Sequence, residues 1–306
     1  MNEIWQFLVE HFGPTEVLSP IYLACFCLIA LWLYLVRKEE GSFLAYLVPR
    51  AVWSHASVRV DFAMLIINRL VAAVGITARL AAVPAVAAWV SGLMPRPILT
   101  EDQLTPLTLA LIVFVIGDFF LYFVHRCYHR IPTIWPLHAV HHSASVLTPV
   151  TTYRQHPVGT LITAALNTLI FGLMFGVIAG GYGPHLTFAE IAGANAFVFL
   201  ANATMTNFQH SHIWISFGPV LERIFISPAQ HQVHHSIEAR HYDRNFGQTL
   251  ALWDWMFGTL YVIREKEEIR FGLTDDIDAP LMTHRIGAIL VDPLRRMFSL
   301  PRRDRP

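Results

Sequence analysis

The sequence predicts an all-α, multi-pass membrane protein, with about four to five membrane-embedded helices and a cytoplasmic, histidine-rich helical cap holding a dimetal site. Three observations predict it. The 306 residues are 54% hydrophobic and only 14% charged, where a soluble domain carries about 25% charged residues. Apolar runs long enough for a bilayer helix recur along the chain. Sixteen histidines stand against three cysteines, and the pattern H-x-x-H-H occurs twice, as "HAVHH" at His138–His142 and "HQVHH" at His231–His235.

A bilayer core needs about 20 mostly apolar residues in a helix. Val17–Val36 qualifies and is stopped by "RKEE". Phe62–Val90 is long enough but carries Arg69 and Arg79. Leu104–Val124 is a strong span. Leu161–Gly181 and Leu186–Phe208 form a pair hinged at Tyr182–His185. From His210 onward the chain is amphipathic and charged, which predicts an extramembrane segment. Because the last two apolar segments go out and back, the second histidine cluster returns to the face that holds the first.

Orientation follows the excess of Lys and Arg in short loops. The loop Arg37–Asp61 carries Arg37, Lys38, Arg50 and Arg59, whereas Ser91–Gln103 carries only Arg96. The first loop is therefore expected inside, and the histidine face with it. The N-terminus has no Lys or Arg and no cleavage site, so it does not read as a secretory signal. Zero net charge with neutral histidines points to no nucleic-acid partner. There is no CxxC pair, so any metal site must be built from imidazole.

Residues three and four apart share a helix face. His125 and His129 are such a pair at the end of the third span, with Asp118 and Tyr122 on the same stripe. In H-x-x-H-H the first imidazole projects beside the fourth and fifth, so one short helix offers three ligands. Neutral imidazole suits Fe, Zn, Cu or Ni. Catalytic zinc takes about three protein ligands, too few for this count, and H-E-x-x-H is absent. A bis-histidine haem leaves most of these residues unexplained. Eight to ten imidazoles suit two ions. His11, His55, His185 and His284 read as ordinary polar residues, and His212 and His241 as neighbours of the site. Asp118 near a membrane boundary needs a partner, and is expected to hold a liganding histidine by its second nitrogen.

The stretch "DFFLYFVHRCYHRIPTIWPLHAVHHS" resembles the fatty acid hydroxylase/sterol desaturase superfamily of membrane-bound di-iron oxygenases. The resemblance resumes in "YRQHP", in "FQHSHI" and in "SPAQHQVHHSIEARHYDRNFGQTLALWDWMFGTLY". It implies a catalytic region over 104–262, preceded by membrane helices over 1–103 and followed by a cytoplasmic tail over 263–306. It implies His125, His129, His138, His141, His142, His231, His234 and His235 as ligands of two Fe ions, with His156 and His210 as further ligands. Asn245, in N-F-G, is expected to face the site and, with Asp118, to serve catalysis. The implied reaction takes O2 and external electrons and hydroxylates or desaturates a C–H bond of a lipid drawn from the bilayer.

The chain has no ferredoxin-type cysteine motif and no dinucleotide-binding glycine loop. A separate donor is therefore expected, of cytochrome b5 or ferredoxin type with its reductase. "HPVG" at His156–Gly159 lacks the second glycine of a cytochrome b5 motif. The alternative is a histidine-rich membrane metal transporter or metal-binding protein without redox turnover. A transporter places polar ligands along the middle of several spans; here they gather in loops and at span ends.

Overall fold

A computed structural model describes residues 16–94, 105–182, 195–274 and 276–299. Among them the protein is helical, with no strand and two isolated bridges, Phe225 to Leu250 and Ser236 to Phe271. The elements that build the site are α1 (Pro20–Arg37), α2 (Ala56–Gly92), α3 (Pro106–Arg130), α4 (Trp135–His142), α5 (Pro157–Tyr182), α6 (Ala196–Ala201), α7 (Pro228–His234) and α8 (Ile286–Phe298). Helix α6 runs on through a π-helical turn, Asn202–Thr206, into Asn207–Gln209. The hinge expected at Tyr182–His185 lies, apart from Tyr182, outside the described residues, as does most of the first half of Leu186–Phe208.

Among the described residues three helices are long and apolar enough to cross a membrane: Pro20–Arg37, Leu107–Arg130 and Pro157–Gly181. Helix α2 is a single 37-residue element with Pro84 inside it. Two of its charged side chains make tertiary contacts: Asp61 pairs with Arg154, and Arg69 with Glu16.

Helices α2 and α5 pack at close range because α5 repeats glycine every four residues. A Cβ on Gly172 would lie 2.6 Å from that of Val86, and one on Gly176 2.5 Å from that of Val90. Small residues at this spacing let backbones approach in an apolar medium, where van der Waals packing drives association.

The two histidine helices are short and held from behind. Helix α4 turns Trp135, Ala139 and Val140 into a core with Val60 and Met64 of α2 and Ile289 of α8. Helix α7 starts at a capping box: Ser227 Oγ accepts from the Gln230 N–H, and Gln230 Oε1 accepts from the Ser227 N–H. Pro228 follows at the first helical position, where its missing N–H costs nothing. Ala229 and Val233 pack on Ile263. Each helix thus buries an apolar back and presents three imidazoles at its front.

Candidate metal centre

The imidazoles meet in two groups. His125, His129, His138, His142 and His234 form one, and His141, His210, His231 and His235 the other; within each, one ring nitrogen per residue lies within 4.8 Å of the rest. The groups adjoin: the rings of His142 and His235 stack at 4.5 Å and 26°. Each H-x-x-H-H is divided between them. His138 and His142, four residues apart, share the five-histidine group, while His141 between them joins the other. In the second motif His231 and His235 share the four-histidine group and His234 crosses to the first. Two like helices facing each other, each donating two imidazoles to one side and one to the other, account for the motif occurring twice.

The nitrogens that converge are Nε2. His125 and His142 lie 3.0 and 3.2 Å from His138, His210 lies 3.1 Å from His141 and 3.0 Å from His231, and His235 lies 3.3 Å from His231. Nitrogens about 2.1 Å from one ion and roughly 90° apart at it lie about 3.0 Å from each other, so these spacings fit the edges of a coordination shell. Three of the outward nitrogens are held. His125 Nδ1 donates to the Phe246 carbonyl and His234 Nδ1 to the Arg244 carbonyl, each at 2.8 Å, and His210 Nδ1 lies 3.1 Å from Thr152 Oγ1. A carbonyl can only accept, so it selects the tautomer whose Nε2 carries a lone pair. His234 Nε2 is buried without a hydrogen-bond partner. Lone pairs aimed at one point, with too few protons to share, need a cation.

Electrostatics agree with the geometry. Burial, and then the charge of neighbouring imidazoles, holds His138, His142, His210, His231, His234 and His235 well below the ordinary imidazole value. His141 is pushed down to about 3, with Arg154 adding to the same two causes. All are neutral at physiological pH, the form that ligates metal.

His156 departs from the expectation. It joins neither group. Its Nδ1 accepts the Val158 N–H at 3.2 Å, and its Nε2 donates to the Leu290 carbonyl of α8 at 3.1 Å. It is the N-cap of α5, with Pro157 at the first helical position, and neither nitrogen is left for a metal. Replacing His156 by Asn, a stronger N-cap, is expected to leave bound metal at the wild-type level, whereas His210→Asn lowers it. Metal analysis of the two purified variants checks this, and equal losses from both would return His156 to the ligand set.

Asp118 and Asn245 also differ from expectation. Asp118 holds no histidine: its carboxylate accepts the N–H groups of Thr249 and Leu250 at 3.0 and 3.1 Å, and the Trp253 indole at 2.9 Å. Asn245 is fully buried at φ 55°, a conformation Asn tolerates better than most residues. Its amide donates to the Gln230 carbonyl, and its side-chain oxygen accepts from the Tyr261 N–H. Asp118 fastens the segment 245–261 to α3 and Asn245 ties it to α7, so both serve its placement. His212, bonded to the Tyr46 carbonyl, and His241, 3.1 Å from Glu267, lie outside both groups.

A cavity of about 430 Å³ ends on His125, His138, His141, His210 and His231, members of both groups. Its walls come from α3 (Leu121, Val124, Tyr128) and α5 (Thr160, Thr163, Asn167), the two longest apolar helices. Among the described residues its polar lining is hydroxyl, amide and imidazole, with no carboxylate, Lys or Arg.

Residues 110–259 match the fatty acid hydroxylase family. The chain is 30% identical over 163 residues to ornithine lipid hydroxylase OlsE of Rhizobium tropici, covering 53% of this chain and 45% of that protein. It is 30% identical over 162 residues to alkylglycerol monooxygenase of Xenopus tropicalis (53% and 32% covered), and 27% identical over 150 residues to Delta(7)-sterol 5(6)-desaturase of Eremothecium gossypii (49% and 36%). The chain thus spans less than half the length of these relatives. No solved structure matches it.

Proposed function

Because the chain belongs to the fatty acid hydroxylase/sterol desaturase superfamily, we propose that it is a membrane-bound, O2-dependent oxidoreductase. On this reading it hydroxylates or desaturates a C–H bond of a lipid. The observation that carries it is the cavity that runs between two membrane-length helices and ends on two adjoining imidazole groups. The relatives, by their names, act on ornithine lipids, alkylglycerols and sterols, so the substrate class is a lipid with an apolar body and a polar end.

The donor set suits two iron ions, the five-histidine group holding one and the four-histidine group the other. Iron there would supply O2 activation and cleavage of an unactivated C–H bond. The protein's own part is positional. The carbonyls of Phe246 and Arg244 fix the tautomers of His125 and His234, and Thr152 orients the His210 ring. Leu121, Val124 and Tyr128 line a water-poor channel, and the hydroxyls of Thr160 and Thr163 are already engaged, by Asn68 and Tyr128. A lipid entering between α3 and α5 would reach the imidazole groups that would hold the metals. Electrons come from a separate donor of cytochrome b5 or ferredoxin type with its reductase. Helices over 1–103 anchor the catalytic region 104–262, the tail 263–306 lies with the histidine face, and that face is cytoplasmic by the charge of the first loop.

The purified chain in lipid nanodiscs, grown with ample iron, is expected to hold about two irons. It should also consume O2 only when reductant and lipid are both present, with product gaining one oxygen atom or losing two hydrogens. About one iron per chain defeats the dimetal reading. Two bound metals without reductant-dependent uptake favour a metal-binding or transport protein instead.

A further inference from the structure

The segments on either side of the second histidine cluster carry a large apolar surface that no other part of the described chain covers. Val220, Leu221 and Phe225 are exposed, Val220 by 71%, and so are Trp255, Met256 and Phe257, the first two by 61% and 69%. The two stretches form one patch, because Phe225 bridges to Leu250 and the Ala251 N–H donates to the Ile224 carbonyl. A contiguous exposed apolar patch rimmed by polar residues marks a site of contact with protein or membrane.

What covers it follows from where it is fastened. The Asp118 carboxylate, inside α3, binds the backbone of Thr249 and Leu250 and the Trp253 indole. Phe119 of α3 packs edge-on against Trp253 at 5.1 Å, and Tyr122 stacks on Phe257 at 5.6 Å. The apolar run of α3 continues to Val124, so Phe119 lies five residues, about 7 Å, inside the end of the span. The short helix Leu252–Met256 therefore sits at the depth of the acyl chains, flush with the lipid-facing side of α3. Cations rim the patch: Arg126 lies over the Phe257 ring at 5.3 Å, and Arg223 is exposed between Leu221 and Phe225. Arginines on the border of an apolar surface reach lipid phosphates while their stems stay among the chains.

We propose that segments 219–225 and 252–257 are inserted in the bilayer leaflet beside α3, as a monotopic membrane-binding surface of the histidine cap. This rests on the reading that α3 spans the bilayer. Burial of about 5–10 Å into the headgroup–acyl boundary is the usual depth of such surfaces. The consequence is that the metal centre lies at the headgroup plane, not above it in solvent. The cavity then opens directly among acyl chains, and the substrate never has to leave the bilayer.

The test uses the full chain in phospholipid vesicles with Cys25, Cys27 and Cys127 changed to Ser and iron content checked. A nitroxide is attached at Met256→Cys or Val220→Cys, at Leu111→Cys on the exposed side of α3, or at Glu265→Cys on the cap. Collision with O2, which concentrates in lipid, is compared with collision with a water-soluble nickel chelate. Labels at 256, 220 and 111 are expected to favour O2, and the label at 265 the chelate. Labels at 256 and 220 that favour the chelate while 111 favours O2 overturn the insertion and leave the span intact. If those labels are shielded from both quenchers, a second copy or another protein covers the patch, and the proposal is again overturned. Should 111 also favour the chelate, the spanning reading of α3 falls and takes the insertion with it.

Discussion

Replacing His138 and His141 together by Ala is expected to remove iron from both groups, whereas replacing His138 and His234 together removes it from only one. The two pairs look alike in chemistry and opposite in sequence logic. His138 and His141 are neighbours within one motif, yet they serve different groups; His138 and His234 are 96 residues apart (234 − 138) and serve the same one. The double change His138→Ala/His234→Ala leaves three imidazoles in the five-histidine group and all four in the other, so bound iron should fall from about two per chain to about one. The change His138→Ala/His141→Ala weakens both shells and should take it toward zero. Turnover is expected to fall in either variant by more than about 100-fold, past the 10–100-fold typical of losing an outer-sphere partner. Activity should therefore not distinguish the pairs, since residues that act as a unit are not additive; metal count should. If the same-motif pair keeps one iron and the cross-motif pair loses both, each motif builds its own site and the crossing is wrong.

That crossing marks where the sequence stops being legible. The i,i+4 spacing of His138 with His142 and of His231 with His235 shows which imidazoles share a helix face, and the structure keeps both pairs together. The third histidine of each motif, one residue earlier than its neighbour, points about 100° away around the helix, and only the facing helix decides what it joins. Asp118 was visible as an acid in an apolar run, but its partners lie 131 to 135 residues later, in a segment with no charge to advertise them. Asn245 carried its signal in N-F-G. A residue that tolerates positive φ, two positions before a glycine whose Cβ would meet the Leu250 carbonyl at 2.7 Å, reads as backbone geometry and not as a site. His156 carried a helix-start signal. A polar residue followed at once by proline, before an apolar run, is a helix start, and the histidine-rich surroundings obscured it. The carbonyls of Phe246 and Arg244 leave no trace in the sequence, because any residue has a carbonyl.

A second invisible feature has an effect nearly as large as loss of a ligand. Changing Arg154 to Ala is expected to destabilise the protein by about 3–5 kcal/mol, the cost of stranding one member of a buried ion pair. Arg154 and Asp61 are both fully buried and 3.0 Å apart. The guanidinium does more than pair with Asp61. It donates to the Val140 carbonyl at 2.9 Å and to the Ser143 carbonyl and hydroxyl at 3.2 and 2.8 Å, at the C-terminal end of α4. The last carbonyls of a helix have no internal partners and favour a cation beside them. Arg154 thus ties the helix that bears His138, His141 and His142 to α2, and it is the fork of five donors that lets one residue do so. Lysine has one nitrogen and cannot reach Asp61 and both carbonyls at once, so Arg154→Lys should keep the charge yet still lose iron. Removing both charges, Arg154→Met with Asp61→Leu, relieves the stranded carboxylate and should recover much of the thermal stability. It leaves the end of α4 uncapped, so iron content should stay below wild type. Unfolding temperature and iron per chain, measured on all three variants in one detergent, separate the two roles. If Arg154→Ala unfolds at the wild-type temperature with its metal complement intact, the strut does not hold the histidine helix, and α4 owes its position to the apolar contacts of Trp135, Ala139 and Val140 alone.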